Sequence, residues 1–266
     1  MGSRKPEAHV MPEARSRKPE ARSRKPEAIP LFLRTYTGRG VRVAVVDSGV
    51  HAAHPHVGGV EQGVGLHEDG SVDPDFVDTL GHGTAVTAAI REKAPEASLV
   101  AIKVFWRTLA TDAASLVRGL DEACRRGAHV INLSLGTSNP AHRGALEGAV
   151  ARARERGACI VAAGEHDGVA WLPGTLEGVL TVGLDWDCPR DEYRVVERER
   201  RTVVLASGYP RDIPGVPRER NVKGLSFAVA NVSGFIARAL EASPGATMGE
   251  LVEVLARAGR PTTGTR

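Results

Sequence analysis

From Tyr36 onward the chain alternates short apolar runs with segments whose apolar residues recur every three or four positions. The runs near 42–47, 98–104, 128–134, 158–163, 178–183 and 202–206 are rich in Val, Ile, Leu and Ala, which predicts strands buried on both faces. The periodic segments near 82–92, 112–126, 141–156, 226–241 and 247–258 predict helices. The last opens on Thr247-Met248-Gly249-Glu250, a capping box ahead of Leu251, Val254 and Leu255. Strand and helix in alternation imply an α/β domain: a doubly wound, mostly parallel sheet with helices on both faces and functional groups at the carboxyl ends of its strands.

Residues 1–28 break this pattern. Ser-Arg-Lys-Pro-Glu-Ala recurs at 3–8, 16–21 and 23–28, with a degenerate Met11-Pro12-Glu13-Ala14 between. Frequent proline and dense charge leave almost nothing to bury, so a disordered basic tail is expected. The tail carries eight Lys or Arg against four Glu, a balance of +4, while the whole chain carries +3. The basic sequence pI therefore belongs to the tail, and the remainder is close to neutral. A solvated extension is the favoured reading; docking of the tail on nucleic acid or another acidic partner is the less favoured one. Residues 29–35, Ile29-Pro30-Leu31-Phe32-Leu33-Arg34-Thr35, are apolar enough to lie on the surface, either across a cleft or, by preference, against the back of the domain. Residues 36–260 then form the globular domain and 261–266 a flexible C-terminus.

An apolar fraction of 42% and 30 glycines suit a packed sheet with tight turns, and no apolar run is long enough to span a membrane. The N-terminus shows no apolar signal region, which favours the cytoplasm. Three cysteines, Cys124, Cys159 and Cys188, give an odd count without CxxC spacing, and reduced thiols fit that compartment.

Three stretches carry candidate chemistry. Gly224-Leu225-Ser226 opens the apolar helix near 226–241, where unpaired N–H groups and partial positive charge favour a developing anion beside the Ser226 hydroxyl. Alone, Ser226 would be read as a helix N-cap. The apolar run Val43–Val46 ends in Asp47, and Asp78-Thr79-Leu80-Gly81-His82-Gly83-Thr84 sets a histidine at the start of a small-residue helix. An acid, a histidine and a serine in this order are the constituents of a Ser-His-Asp triad.

With these motifs the sequence resembles the subtilisin-like serine peptidases over roughly residues 36–258. The resemblance extends through Ala94–Val104, Gly127–Gly136, Val161-Ala162-Ala163-Gly164 and Leu172-Pro173-Gly174. It implies that Ser226 is the nucleophile, His82 its general base and Asp47 the acid that orients the imidazole. Peptide bonds are the implied substrate, cleaved through an acyl-enzyme. It also implies that Ser134, Leu135 and Gly136 pair with the substrate backbone, while Ala162, Ala163 and Gly164 form the other wall of the specificity pocket. Trp171 would lie near the pocket floor, narrowing it or packing beneath it.

The departures matter as much. Glu165 stands where the family places an asparagine that donates to the oxyanion, and an ionised carboxylate only accepts. A slow or specialised peptidase is therefore expected, with a peptide-binding pseudopeptidase as the alternative. A protonated Glu165 acting as donor would give an optimum below neutrality. Leu225, Ala230 and Ala85 also differ from the family pattern but stay small or apolar. Pro95 follows His82 by only 13 positions, which leaves no room for the calcium loop of many relatives. No metal and no cofactor is expected, and the partners are protein or peptide substrates.

Overall fold

The structure, a computed structural model, describes residues 8–10, 27–28, 33–198, 201–213, 215–217 and 220–258. The apolar runs form strands and the periodic segments form helices. In chain order the strands are β1 (Ala8–Val10), β2 (Glu27–Ala28), β3 (Arg42–Asp47), β4 (Gln62–Leu66), β5 (Val72–Asp73), β6 (Ser98–Lys103), β7 (Ala110–Thr111) and β8 (Val130–Leu133). They continue with β9 (Leu135–Gly136), β10 (Cys159–Ala163), β11 (Glu165–His166), β12 (Val169–Ala170), β13 (Val179–Leu184), β14 (Glu192–Arg198) and β15 (Arg201–Ala206). The helices are α1 (His82–Lys93), α2 (Ala113–Arg125), α3 (Arg143–Glu155), α4 (Leu225–Ala242) and α5 (Met248–Ala258).

The main sheet runs β2-β14-β15-β13-β10-β8-β3-β6-β4-β5. From β15 through β4 the neighbours are parallel, and antiparallel strands finish both edges. Alternation along β3 shows how two layers of helices are specified. Val43 and Val45 join the core under α1, α4 and α5, with Ile90, Phe235 and Leu251. Ala44 and Val46 join the opposite core under α2 and α3, with Leu116, Leu120, Leu146 and Val150. The fold is thus the doubly wound α/β arrangement expected from the pattern. Chain order switches sides between β3 and β8, the place where such sheets open a crevice at their carboxyl ends.

Helix α4 is nearly all buried and runs through the centre of one layer. By length and composition it could cross a membrane, yet 83% of it lies inside the domain. At α5 the capping box is in place: Glu250 Oε2 accepts from Thr247 N at 2.7 Å and Thr247 Oγ1 at 2.8 Å.

One expectation changes. The repeat tail contributes two described strands, β1 and β2, rather than none; the rest of it lies outside the described residues. Unpaired sheet edges accept them, because an edge strand offers its hydrogen bonds to any extended segment regardless of composition. Of residues 29–35, Leu33–Thr35 form a 3-10 turn in which Leu33 is buried and its carbonyl accepts from Arg238 Nη1 of α4 at 3.0 Å. That part packs on α4, while 29–32 lie outside the described residues.

Candidate active site

Asp47 is the last residue of β3 and is wholly buried. Its Oδ1 accepts from Ser48 N and lies 2.7 Å from His82 Nδ1. His82 opens α1, after Gly81 in a left-handed conformation with φ 85° that provides no side-chain cap. Asp78 supplies the missing cap from outside the helix. Its Oδ2 accepts from Thr84 N and Thr84 Oγ1 at 2.8 and 2.7 Å, and its Oδ1 accepts from Leu80 N, Gly81 N and Ser48 Oγ. Ser48 Oγ in turn accepts from Gly83 N at 2.9 Å. Strand end and helix start are thereby clamped together, and only glycine fits between them: a Cβ on Gly83 would meet the Gly49 carbonyl oxygen at 2.2 Å. Burial pushes the His82 imidazole down, but the charge and hydrogen bond of Asp47 and the charge of Asp78 outweigh it and hold His82 above its ordinary value.

Ser226 is the second residue of α4, after Gly224 at the cap position, so it is not the N-cap. Its side chain is buried in a reciprocal pair with the strand opposite. Ser226 Oγ donates to the Ser134 carbonyl at 3.3 Å, and Ser134 Oγ donates to the Ser226 carbonyl at 3.1 Å. Asn132 Nδ2 donates to Ser134 Oγ at 3.0 Å, and Asn132 Oδ1 lies 3.0 Å from Ser233 Oγ. This buried polar chain ties α4 to β8. Phe227 carries its ring to 5.8 Å from the His82 imidazole. Asp47 and His82 are thus paired at the carboxyl end of β3, and the residue after Ser226 lies beside the imidazole. In this arrangement the Ser226 hydroxyl donates to the Ser134 carbonyl.

The two walls expected for substrate flank this point. Leu135 and Gly136 form β9, and both are buried. Ala162 and Ala163 have their side chains in the two cores, so only backbone is available at that wall. The turn Leu172-Pro173-Gly174 lies directly on it: a Cβ on Gly174 would meet the Ala163 carbonyl oxygen at 1.6 Å. Thr137 and Leu172 exchange backbone hydrogen bonds at 2.9–3.0 Å, and Trp171 N donates to the Gly164 carbonyl at 2.8 Å. Trp171 is half-buried against the core beneath α4, a packing position. Glu165 opens the β11–β12 hairpin, turned by Asp167 at φ 49° and Gly168 at φ 76°, and is exposed to solvent. Leu225 and Ala230 are core residues.

Two features escaped the sequence reading. Asp78 stood in the motif around His82, but nothing marked it as the residue joining Asp47's strand to His82's helix. The strand β1, which runs between β9 and β7, was hidden in a repeat.

A sequence profile of the Subtilase family of S8 peptidases matches residues 38–262. The chain belongs to the Subtilase family. It is 30% identical over 223 residues to the M-protease of Shouchella clausii (strain KSM-K16), covering 79% of this chain and 57% of that protein. Over the same length it is 30% identical to Subtilisin Savinase of Lederbergia lenta, covering 80% of that protein. The chain therefore spans little more than half of some curated subtilases and most of others. The fold is that of a cold adapted subtilisin-like serine proteinase of known structure, with a TM-score of 0.65, 24% identity, and coverage of 84% of this chain and 83% of that one.

Proposed function

We infer that this subtilase is a serine endopeptidase acting on protein or peptide substrates. The observation that carries the reading is the buried Asp47 carboxylate held 2.7 Å from His82 Nδ1. Asp47 fixes the tautomer that leaves Nε2 free to accept a proton, and stabilises the imidazolium once formed. Ser226 Oγ attacks the substrate carbonyl as His82 takes its proton. The tetrahedral adduct collapses to an acyl-enzyme as His82 protonates the leaving amine, and water reverses the sequence. The N-terminus of α4 places backbone N–H groups beside the developing oxyanion. Glu165 occupies the position of the side-chain donor, and its carboxylate sets this subtilase toward slow or specialised turnover. We also place the chain in the cytoplasm. What supports this is the odd count of three cysteines, Cys124, Cys159 and Cys188, all buried free thiols.

Active-site labelling with a fluorophosphonate, read by intact mass from pH 5 to 9, tests the reading, with Ser226→Ala as control. Labelling of the parent chain that disappears in the control is expected. Absence of labelling in folded protein at every pH would overturn it.

A further inference from the structure

Helix α1 carries His82 as its first residue and Lys93 as its last, roughly 16 Å apart along the axis at 1.5 Å per residue. Beside Lys93 lies a cavity of ≈ 350 Å³ lined by Glu92, Lys93, Pro189, Arg190, Asp191 and Asp212, a size that suits a small molecule. Residues 189–191 reach it from the connection between β13 and β14, and Asp212 from the stretch after β15. Asp47, His82 and Ser226 are not among its lining residues.

Two cations form the inner wall. The side chains of Lys93 and Arg190 are 5% and 13% exposed, whereas that of Asp212 is 76% exposed and Asp191 lies on the surface. Lys93 Nζ donates to Glu92 Oε2 at 2.7 Å, Arg190 Nη2 donates to the same oxygen, and Arg190 Nη1 donates to Asp212 Oδ2 at 3.1 Å. An ammonium offers three hydrogens and a guanidinium five, so these bonds leave most of the pair's donors unspent. Arg190 Nε shows this directly: it is buried and has no hydrogen-bond partner among the described residues. Burial, aided by the charge of Arg190, pulls Lys93 below its ordinary value even with Glu92 in contact. Buried donors left in that condition are costly, and a second carboxylate entering the cavity would relieve them.

The lining also specifies the rest of the ligand. Lys93 and Arg190 face three carboxylates, Glu92, Asp191 and Asp212, which leaves a formal balance of −1. A simple anion would meet the outer carboxylates as like charge. A molecule with one carboxylate directed inward and two cations outward matches the cavity in sign and neutralises it. We propose that this cavity binds a free basic α-amino acid such as arginine, its carboxylate on Lys93 and Arg190 and its cationic groups facing Asp191 and Asp212. The site lies outside the triad and does not depend on the peptidase reading.

The probe is L-arginine, titrated calorimetrically into the full chain and mapped by amide hydrogen exchange. One site with a Kd of about 1 mM or tighter is expected, with added protection at 90–94 and 188–192. Agmatine, which lacks the carboxylate, and propionate, which lacks the cations, should each bind at least about tenfold more weakly. Lys93→Met keeps the length of the side chain without its charge and Arg190→Gln removes the fork; each should weaken L-arginine about tenfold. Asp191→Asn, a surface change that leaves the core intact, should weaken L-arginine about threefold and should not weaken propionate. Thermal unfolding of each variant shows whether it is folded, and Asp191→Asn with the agmatine comparison decides the matter if a variant of the inner wall is not. Absence of L-arginine binding to the parent chain would overturn the site. So would binding that all three variants leave unchanged, or protection that falls at 135–136 and 162–164 instead. Agmatine binding as tightly as L-arginine would overturn the inward carboxylate. Fluorophosphonate labelling tests the peptidase reading separately, so failure of either leaves the other standing.

Discussion

At the scale of single residues, His82 is governed by two carboxylates with different duties. Asp47 touches the imidazole, while Asp78 caps the helix that carries it and acts through its charge. Because both raise His82, kcat/KM should climb with pH through an apparent pKa above 6.5, the activity appearing as the imidazole loses its proton. Asp78→Ala should move that limb toward lower pH and remove about 1 kcal/mol of helix-cap stability, seen together in a pH profile and a denaturant titration. A limb that stays in place would show that Asp78 only holds the helix. An optimum below neutrality, expected if a protonated Glu165 were the oxyanion donor, would have to be reached against the raised His82, whose protonated form Asp47 and Asp78 favour. Glu165→Asn restores a neutral donor and should raise kcat by about 10²-fold with KM little changed, because the oxyanion exists only after attack. An unchanged kcat would remove Glu165 from the oxyanion site.

At the scale of elements, catalytic alignment comes from how closely α1 and α4 approach, since one begins with His82 and the other carries Ser226 as its second residue. Gly234 sets that approach: a Cβ there would fall 2.4 Å from Lys93 Cβ and 3.3 Å from the Ile90 carbonyl oxygen. Gly234→Ala should therefore push the helices apart, costing about 1–3 kcal/mol in stability and lowering kcat more than KM; equal activity at lower stability would mean that the two helices yield elsewhere. The helices and the strands β3, β6, β8, β10, β13 and β15 were legible because their apolar periods are uninterrupted. The strand β4 was not, and its glycines say why. In Gln62-Gly63-Val64-Gly65-Leu66, a Cβ on Gly63 would enter the Phe76 ring at 2.2 Å, and one on Gly65 would meet the Trp106 ring at 2.6 Å. Residues distant in sequence took the space that side chains of a readable strand would fill. Strand β14, Glu192-Tyr193-Arg194-Val195-Val196-Glu197-Arg198, carried too much charge to be read as buried sheet.

For the molecule as a whole, the triad residues were legible because each sits at the end of an element that the pattern defines. The strand β1 was not, because its pairing with β9 and β7 depends on tertiary edges that no local pattern encodes. The same whole-chain view bears on metal dependence. Helix α1 runs unbroken from His82 to Lys93, Ala94 N closes it on the Ile90 carbonyl at 2.8 Å, and β6 begins at Ser98. No insertion separates His82 from Pro95 along this path, where the family resemblance would place a calcium loop. A resident cation at about 100 times its Kd would add about 2.7 kcal/mol to the folded state. At about 2–4 °C per kcal/mol, its removal would lower the melting temperature by several degrees. Thermal unfolding of the full chain with and without excess EDTA should therefore give superimposable curves. A fall of several degrees that added calcium reverses would show that this subtilase draws on a metal held elsewhere in the chain.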